Sequence, residues 1–366
     1  MQITKIKLTN FRNYENQTFN FSNNKNIIIG NNGVGKTNIV EAIYYLALTK
    51  SFRTNVDNSL VNNNQDAFSI IGTINDKISS DYKITFDKQT KKVYIDNNQI
   101  RKFSDYISNI NIVCFNTEDL KLIKDSPSVH RQLINIEISQ LDNKYLKTLS
   151  IYNKILKQRN TYLKNVNLKE NSNKEFLYIL TDKLIEYGLI INEIRNNFIN
   201  NINKYLDNYF KEITGKEGLT LKYISDYNDI TKEKLKNKYN KLIMKDINYG
   251  NTTIGIHLDD FIFYYQDIIA KNYLSEGEKK NAVIAFKLSE INIFKETTKT
   301  NPILILDDLF SELDKEKINK ILNLLKDDMQ IFITTTDLKH LEEEKLKKSK
   351  IFTIKEGKIE ETIYGW

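Results

Sequence analysis

The sequence predicts an α/β protein whose mixed sheet has an antiparallel part and is interrupted by an inserted pair of long helices. Continuous apolar runs at 27–29 and 303–306 are typical of parallel strands that are covered on both faces. Apolar and polar residues alternate through much of the first hundred residues, which favours antiparallel strands. The middle of the chain instead repeats apolar residues at helical spacing.

The antiparallel strands are predicted from three segments with a period of two. These segments are 3–8, 82–86 and 92–95. Alternation of this kind buries one face of a strand and exposes the other. We therefore expect the antiparallel part of the sheet to lie at one side of the parallel strands.

A helical hairpin is predicted for the middle of the chain. Its main apolar seam, spaced three or four residues apart, comprises Leu177, Leu180, Leu184, Tyr187, Ile191, Ile194, Phe198, Ile202, Tyr205 and Tyr209. A shorter seam indicates a helix over about 144–164, roughly 30 Å long, and the polar stretch 165–174 is expected to be the loop between the two. The pattern leaves open whether this arm only packs or also binds a partner.

The β/α pattern returns after Gly250 without a linker rich in proline or serine. The head is therefore predicted to be split into residues 1–125 and 249–366, with the arm at 126–248 inserted between them. Two or three domains are within the range expected for 366 residues.

Composition narrows the class of protein. The chain is 40% hydrophobic, enough for a packed core, and it has no apolar stretch of about 20 residues that would cross a membrane. We therefore expect a soluble, cytoplasmic protein with no membrane partner. The single cysteine, Cys114, lies in an apolar run and is expected in the core. The net charge of +7 is compatible with a nucleic-acid partner but does not by itself decide for one.

A phosphate-binding loop follows the first apolar run. The pattern G-x-x-x-x-G-K-[ST] is formed by Gly30, Asn31, Asn32, Gly33, Val34, Gly35, Lys36 and Thr37. Glycines let backbone N–H groups turn toward phosphate oxygens, and the N-terminus of the following helix adds partial positive charge. Lys36 is expected to reach the β- and γ-phosphates, and the Thr37 hydroxyl to bind Mg²⁺. The sequence therefore predicts a nucleoside triphosphate site.

The second apolar run ends in two carboxylates, Asp307 and Asp308. Ligands of open α/β sheets lie at the carboxyl ends of strands. Asp307 is predicted to hold Mg²⁺, directly or through water, because this ion takes one or two carboxylates together with phosphate oxygens. Asp308 is predicted to orient or deprotonate the attacking water during phosphoryl transfer.

A helix is predicted to begin at Ser275, because Ser275 and Glu278 form the pattern of a capping box. On local sequence alone, an ordinary helix cap explains these residues. The order of motifs along the chain favours a functional role for these residues in addition to the cap. Ser-x-Gly-Glu, then an Asp-Asp strand, then Ser-Glu-Leu-Asp ending at Asp314 resembles the ATP-binding cassette superfamily.

That resemblance implies an ABC-type P-loop ATPase head that binds ATP and Mg²⁺. It also implies that Ser275, Gly277 and Asp314 complete the ATP site of a second subunit. The chain would then form a homodimer on binding ATP, because two shared nucleotides hold the halves together.

Within the superfamily, the chain resembles the RecF family of bacterial recombination proteins. The resemblance is carried by IKLTNFRNY at 6–14, KSFRT at 50–54, FNTEDL at 115–120, SPSVHR at 126–131 and the Asp-Asp strand. It implies a DNA repair and replication protein that binds gapped or duplex DNA as an ATP-bound dimer and helps RecO and RecR to load RecA. ATP hydrolysis would be slow, as in a weak DNA-dependent ATPase that acts as a switch.

Three departures from the superfamily pattern accompany this resemblance. Thr336 stands where many cassette ATPases have a histidine that senses the γ-phosphate, which favours slow hydrolysis. Phe52 stands where a polar residue is expected, so Arg53 is the residue of that segment carried over. The usual Mg²⁺-contacting glutamine has no clear counterpart, and 116–119 is its expected location.

Two other functions are weighed against this one. The ATPase subunit of a membrane transporter is disfavoured by the inserted hairpin and the split head. An antiviral ATPase with nuclease activity is disfavoured because the sequence shows no further acidic metal cluster.

Overall fold

The computed structural model describes residues 1–167, 174–309, 315–325, 328–339, 346, 349–355 and 358–364. Its strands, numbered in chain order, are β1 (Gln2–Phe11), β2 (Tyr14–Asn20), β3 (Lys25–Gly30), β4 (Phe68–Asn75), β5 (Ser79–Phe86), β6 (Lys91–Ile95), β7 (Asn98–Ile100), β8 (Ile112–Phe115), β9 (Leu219–Ile224), β10 (Asp260–Tyr265), β11 (Ile268–Ile269), β12 (Ile303–Asp307), β13 (Ile331–Thr335), β14 (Ser349–Lys355) and β15 (Lys358–Tyr364).

The helices of the described residues are α1 (Lys36–Leu48), α2 (Ser104–Ile107), α3 (Lys121–Lys124), α4 (Pro127–Leu141), α5 (Asn143–Asn167), α6 (Lys174–Thr214), α7 (Lys232–Tyr249), α8 (Ala270–Tyr273), α9 (Glu276–Thr298) and α10 (Lys315–Leu324). Short 3₁₀ helices lie at Asp57–Leu60 and Thr117–Leu120. No helix in this described set has the length and apolar character needed to span a membrane.

The chain divides into two compact units. The first unit comprises Met1–Leu120, Asn208–Lys216 and Lys280–Trp366, and the second comprises Lys121–Asp207 and Glu217–Lys279. The second unit thus includes residues 249–279, which the sequence analysis assigned to the head. The reason is that β10 pairs with β9, so the chain after Gly250 returns to the sheet of the second unit.

The first unit contains an antiparallel sheet in the order β2-β1-β4-β5-β6-β7. The period of two in the sequence is seen directly in β1, where Ile6 and Leu8 are fully buried while Lys5 and Lys7 are exposed. All five neighbouring pairs run antiparallel, as the alternation predicts. These strands form a sheet of their own, and a side-chain hydrogen bond links it to the other sheet, from Lys350 of β14 to the Asn20 carbonyl of β2 (2.6 Å).

The second sheet of the first unit is mixed, in the order β15-β14-β3-β13-β12-β8. Its inner strands are parallel, and only β15 pairs antiparallel. The two apolar runs are buried in β3 and β12, which confirms the α/β prediction. Because β13 pairs with both of these strands, their carboxyl ends, Gly30 and Asp307, reach the same edge of the sheet. Cys114 is buried in β8 of this sheet.

The helical hairpin lies in the second unit, except that residues 208–214 at the end of its second helix belong to the first unit. Helix α5 extends over Asn143–Asn167 and α6 over Lys174–Thr214, while residues 168–173 of the predicted loop lie outside the described residues. Arg159 of α5 donates a hydrogen bond to the Thr181 hydroxyl of α6 (3.0 Å), and the rings of Tyr162 and Phe176 pack 5.2 Å apart. The apolar seam of α6 is buried at Leu177, Leu184, Ile191 and Ile202.

The second unit also contains a three-stranded antiparallel sheet, β11-β10-β9, which the sequence analysis did not predict. Both β9 and β10 bury every second residue, as strands with one covered face do. The sequence signal for this sheet is weak because the two strands are separated by 35 residues that include α7, so no tight turn marks the pairing.

A buried ion pair organises the core of the second unit. Arg195, only 1% exposed, donates to the Asp259 carboxylate at 2.9 Å and also to the Ile256 carbonyl and the Tyr145 hydroxyl. Tyr223 donates to the same carboxylate. Removing two charges from water is costly, and the cost is offset only where the remaining hydrogen-bonding groups are satisfied. The buried pair therefore depends on the hydrogen bonds that Tyr145, Tyr223 and the Ile256 carbonyl make with it.

Arg195→Ala is expected to lower the free energy of unfolding by about 3–5 kcal/mol, because it leaves the Asp259 charge buried without its partner. Lys183→Ala, which removes an exposed pair with Glu186, should cost about 0.5 kcal/mol or less. Urea unfolding of both variants measures the difference. Equal small losses in the two variants would contradict the assigned importance of the buried pair.

Candidate functional site

The glycine-rich loop connects β3 to α1 in the first unit. Its backbone turns through left-handed conformations at Gly33 (φ 84°) and Gly35 (φ 105°), which side chains with a Cβ rarely adopt. A Cβ on Gly35 would also lie 2.4 Å from the side-chain nitrogen of Asn13. Glycine at 35 is therefore required by both conformation and space.

Lys36 is folded back onto this loop. Its ammonium donates to the carbonyl oxygens of Gly30 (2.7 Å) and Asn31 (2.9 Å), and the side chain is buried. Burial lowers the pKa of Lys36, while the negative charges of Asp308 and Asp307 oppose that shift. The loop thus holds a desolvated cation, which suits the binding of an anionic ligand.

Thr37 and Asp307, the two predicted metal ligands, are in contact. The Thr37 hydroxyl donates to Oδ1 of Asp307 at 3.0 Å, and the Thr334 hydroxyl of β13 donates to the same oxygen at 2.7 Å. Burial raises the pKa of the Asp307 carboxyl, and the two hydroxyl donors lower it in part. The structure therefore brings together a hydroxyl and a carboxylate from segments 270 residues apart.

Asp308, the predicted catalytic residue, follows β12 in a left-handed conformation (φ 52°) and is half-buried. Aspartate tolerates this conformation better than most residues. The backbone N–H of Asp308 donates to the Thr334 hydroxyl at 2.9 Å, which fixes the turn. Thr334 thereby holds both members of the Asp-Asp pair.

Three residues outside the motif support the loop and were not identified as site residues from the sequence. Asn13 donates to the Val34 carbonyl at 3.2 Å, and Tyr14 donates to the Gly35 carbonyl at 3.1 Å. Asn38 donates to the side-chain oxygen of Asn13 at 2.8 Å. Sequence offers no signal for these contacts, because they depend on the β1–β2 turn lying against the loop.

Arg53 joins this network from the other side. Its guanidinium donates to the Asn38 side chain at 3.0 Å and lies 3.6 Å from the fully buried Glu41. Arg12 pairs with Glu41 through two hydrogen bonds, at 2.7 and 2.9 Å. Phe52 instead packs its ring against Tyr44. The choice of Arg53 as the polar residue of this segment agrees with these contacts.

The segment expected to replace the Mg²⁺-contacting glutamine lies near Asp307. Asn116 and Asp119 line one cavity together with Asp307 and Lys280. Within the segment, the Asp119 carboxylate accepts from the Asn116 backbone N–H, and the Asn116 side chain accepts from Glu118, both at 2.8 Å. These bonds hold the segment in a fixed turn beside the carboxylate.

The predicted capping box is present in the second unit. The Ser275 backbone N–H and hydroxyl donate to the Glu278 carboxylate at 2.9 and 2.7 Å, and the Glu278 backbone N–H donates to the Ser275 hydroxyl at 3.4 Å. Helix α9 starts at Glu276, and a Cβ added to Gly277 would meet no atom within 4 Å. Asp314 lies outside the described residues. Thr336 is exposed at the end of β13.

The donor set suits Mg²⁺ bound together with a phosphate. Within the described part of the chain, no three histidine, cysteine or acidic side chains converge on a metal position. Thr37 and Asp307 provide one hydroxyl and one carboxylate, so phosphate oxygens and water are needed to complete an octahedral shell. An ion at this position thus depends on a bound nucleotide.

Known proteins resemble this chain along nearly its whole length. Residues 2–360 match the family model described as the RecF/RecN/SMC N terminal domain. The chain is 39% identical over 367 residues to the DNA replication and repair protein RecF of Clostridium perfringens, covering 98% of this chain and all of that protein. The chain belongs to the RecF family. A RecF from Ligilactobacillus salivarius is 36% identical over 99% of this chain and 98% of its own length.

Solved structures agree with this membership. The recombination mediator protein RecF with ATP, of the RecFOR pathway, superimposes with a TM-score of 0.90 at 30% identity, covering 99% of this chain and 97% of that one. The Smc head domain of Pyrococcus furiosus gives a TM-score of 0.55 at 17% identity, over 99% and 96% of the two chains, which shows a shared fold. The predicted ABC-type head with an inserted arm is thereby confirmed as a RecF-like architecture.

Asn13→Ala is expected to weaken ATP binding about tenfold, because two hydrogen bonds that hold the loop are lost at about 0.5–1.5 kcal/mol each. Asn16→Ala, an exposed residue of β2, is the matched control and should bind as the parent does. Calorimetric titration with ATP measures both. Equal affinities for the two variants would remove Asn13 from the site.

Asp307→Asn is expected to raise the melting temperature of the nucleotide-free protein near pH 7.5 while weakening Mg²⁺-dependent ATP binding. Burial raises the pKa of Asp307, so the ionised carboxylate destabilises the folded state. The destabilisation by the charged carboxylate is absent below the pKa that Asp307 has in the unfolded chain and complete above its pKa in the folded protein. The gain in melting temperature from Asp307→Asn should therefore shrink as the pH falls. Calorimetric melting across pH measures it, and a lower melting temperature near pH 7.5 would contradict the assignment.

Proposed function

We propose that this protein is an ATP-gated, DNA-binding member of the recombinational repair and replication machinery that acts as a homodimer. The observation that carries the proposal is the joined arrangement of Lys36, Thr37, Asp307 and Thr334 at the edge of the mixed sheet. The names of its full-length relatives support the role in DNA replication and repair.

ATP is the proposed ligand of the loop formed by residues 30–37. The loop amides and the α1 N-terminus would receive the phosphates, and Lys36 would leave its loop carbonyls for phosphate oxygens. Thr37 and Asp307 would hold Mg²⁺, which neutralises phosphate charge. Support comes from the related RecF whose structure contains ATP.

Hydrolysis is proposed to be slow and to serve as a switch. Asp308 is the residue that would orient the attacking water, because its turn is fixed next to Asp307 by Thr334. Thr336 offers the γ-phosphate a neutral hydroxyl in place of a histidine that can carry positive charge, which favours slow hydrolysis. ATP is therefore proposed to stay bound for a long time before it is hydrolysed.

The homodimer is proposed because the motif at Ser275 and Gly277, which also caps α9 in its own chain, is open to a second subunit. Ser275 is exposed, and a Cβ at Gly277 would meet no described atom within 4 Å, so the described packing does not require glycine there. A glycine at such a position leaves room for an outside group. Ser275, Gly277 and Asp314 are proposed to face the ATP bound by the second subunit.

DNA is the proposed partner of the ATP-bound dimer, with a preference for gapped or duplex forms. RecO and RecR would act with it to load RecA. The related RecF described as a recombination mediator of the RecFOR pathway supports this assignment.

Ser275→Arg is expected to abolish ATP-dependent dimers while each monomer still binds ATP, because the phosphate it would face belongs to the other chain. Lys36→Arg should lose both ATP binding and dimers. Ser79→Arg, at an exposed serine of β5, is the matched control and should dimerise. Sedimentation velocity with and without ATP reads the result, and dimers of Ser275→Arg would refute the shared site.

A further inference from the structure

Helix α5 has an unusual charge composition. Its 25 residues contain lysine at 144, 147, 154, 157 and 164 and not one aspartate or glutamate. The neighbouring helices α6 and α7 of the same unit carry both signs, with carboxylates such as Asp182, Glu186 and Glu233. A general richness in lysine therefore does not explain α5, because only this helix lacks acidic residues among the three.

The five lysines form a row along one side of α5. They are spaced by three and seven residues in turn, so at 3.6 residues per turn they spread over an arc of about 160°, within one half of the helix surface. All five are exposed, whereas Tyr145, Tyr152 and Leu163 on the other side are fully buried. From Lys144 to Lys164 the row is about 30 Å long at 1.5 Å per residue. We call these five residues the α5 lysine row.

Four members of the α5 lysine row have no carboxylate partner among the described residues. Among the described residues, Lys144, Lys154, Lys157 and Lys164 make no ion pair, while Lys183, Lys236 and Lys238 of α6 and α7 pair with Glu186, Asp182 and Asp226. Like charges on adjacent turns of a helix destabilise it. Glu186, Asp182 and Asp226 thus pair with other lysines, and four lysines of the row are open to an anion from outside.

The exposed neighbours of the row suit an extended polar partner. Asn153, Gln158 and Thr161 lie among the lysines, are exposed and offer hydrogen-bond donors. A protein interface is usually anchored by buried aromatic residues. Among the described residues of α5, Ile151 is the large apolar side chain that exceeds one third exposure, at 39%. Phe176 of α6, 46% exposed, lines a cavity with Lys154 and Lys157, so an exposed aromatic ring adjoins two of the five lysines. Charge and donors along 30 Å therefore favour a phosphate backbone over an acidic protein surface.

We propose that the α5 lysine row binds the phosphate backbone of duplex DNA. The inference rests on the proposed function and deepens it by naming the surface. Its length of about 30 Å is close to one turn of duplex DNA, about 34–36 Å. Duplex DNA presents one negative charge per about 1.7 Å of its axis, so several phosphates lie within reach of each pair of lysines. These contacts fix position and carry no sequence preference.

The test compares two triple variants that lose the same charge. Lys144→Gln/Lys154→Gln/Lys157→Gln removes part of the row, and Lys183→Gln/Lys236→Gln/Lys238→Gln removes lysines that already have carboxylate partners. Binding of the full-length protein to a duplex of about 30 base pairs is measured with Mg²⁺ and a slowly hydrolysed ATP analogue. The KCl concentration is varied from about 0.05 to about 0.3 M.

The row variant is expected to bind DNA about 100-fold more weakly near 0.15 M salt. The slope of log affinity against log salt should become shallower by about 2.7, since each lost contact releases about 0.9 counterion. The control variant should lose much less affinity and keep its slope. Both variants should bind ATP as the parent does, which shows that they are folded.

Three results would overturn the proposal. Equal losses in the two variants would mean that only net charge matters, and an unchanged slope in the row variant would place DNA elsewhere. Parent binding to polyglutamate as tight as to DNA at equal charge, lost in the row variant, would assign the row to an acidic protein. Absence of DNA binding by the parent protein would instead refute the proposed function itself.

Discussion

The first unit depends on one buried carboxylate, that of Asp307. It accepts hydrogen bonds from Thr37 of α1 and Thr334 of β13, so it ties together three segments that are far apart in sequence. The burial that makes this contact possible also disfavours its charge, as the raised pKa of Asp307 shows. The proposed site for a metal with phosphate is thus maintained at a cost to the stability of the nucleotide-free protein.

The second unit follows a different constraint. Its hairpin helices are joined by apolar seams and by two buried arginines, Arg159 and Arg195, that pair with Asp246 and Asp259. Such pairs contribute little net stability, but each requires one arrangement of its neighbours. A unit built this way keeps α5 in a defined position, so the exposed face of the helix can act as a recognition surface and not only as solvated exterior.

Local patterns predicted much of the fold and of the site. Alternation in β1, the apolar runs of β3 and β12 and the seam of α6 each reflect contacts that repeat at a fixed spacing along the chain. The glycine-rich loop and the capping box at Ser275 were predicted for the same reason, because their hydrogen bonds join residues three to six positions apart. The pairing of β9 with β10 was missed because 35 residues separate the strands.

A phosphate loop, an Asp-Asp strand and a pair of long helices were predictable from the sequence alone. Tertiary structure alone decided that Thr37, Thr334 and Asp307 meet, that Asn13 and Arg53 support the loop, and which lysines already have partners. The physical reason is that strand order and side-chain pairing depend on contacts across hundreds of residues. Composition and periodicity describe only what a residue shares with its neighbours in the chain.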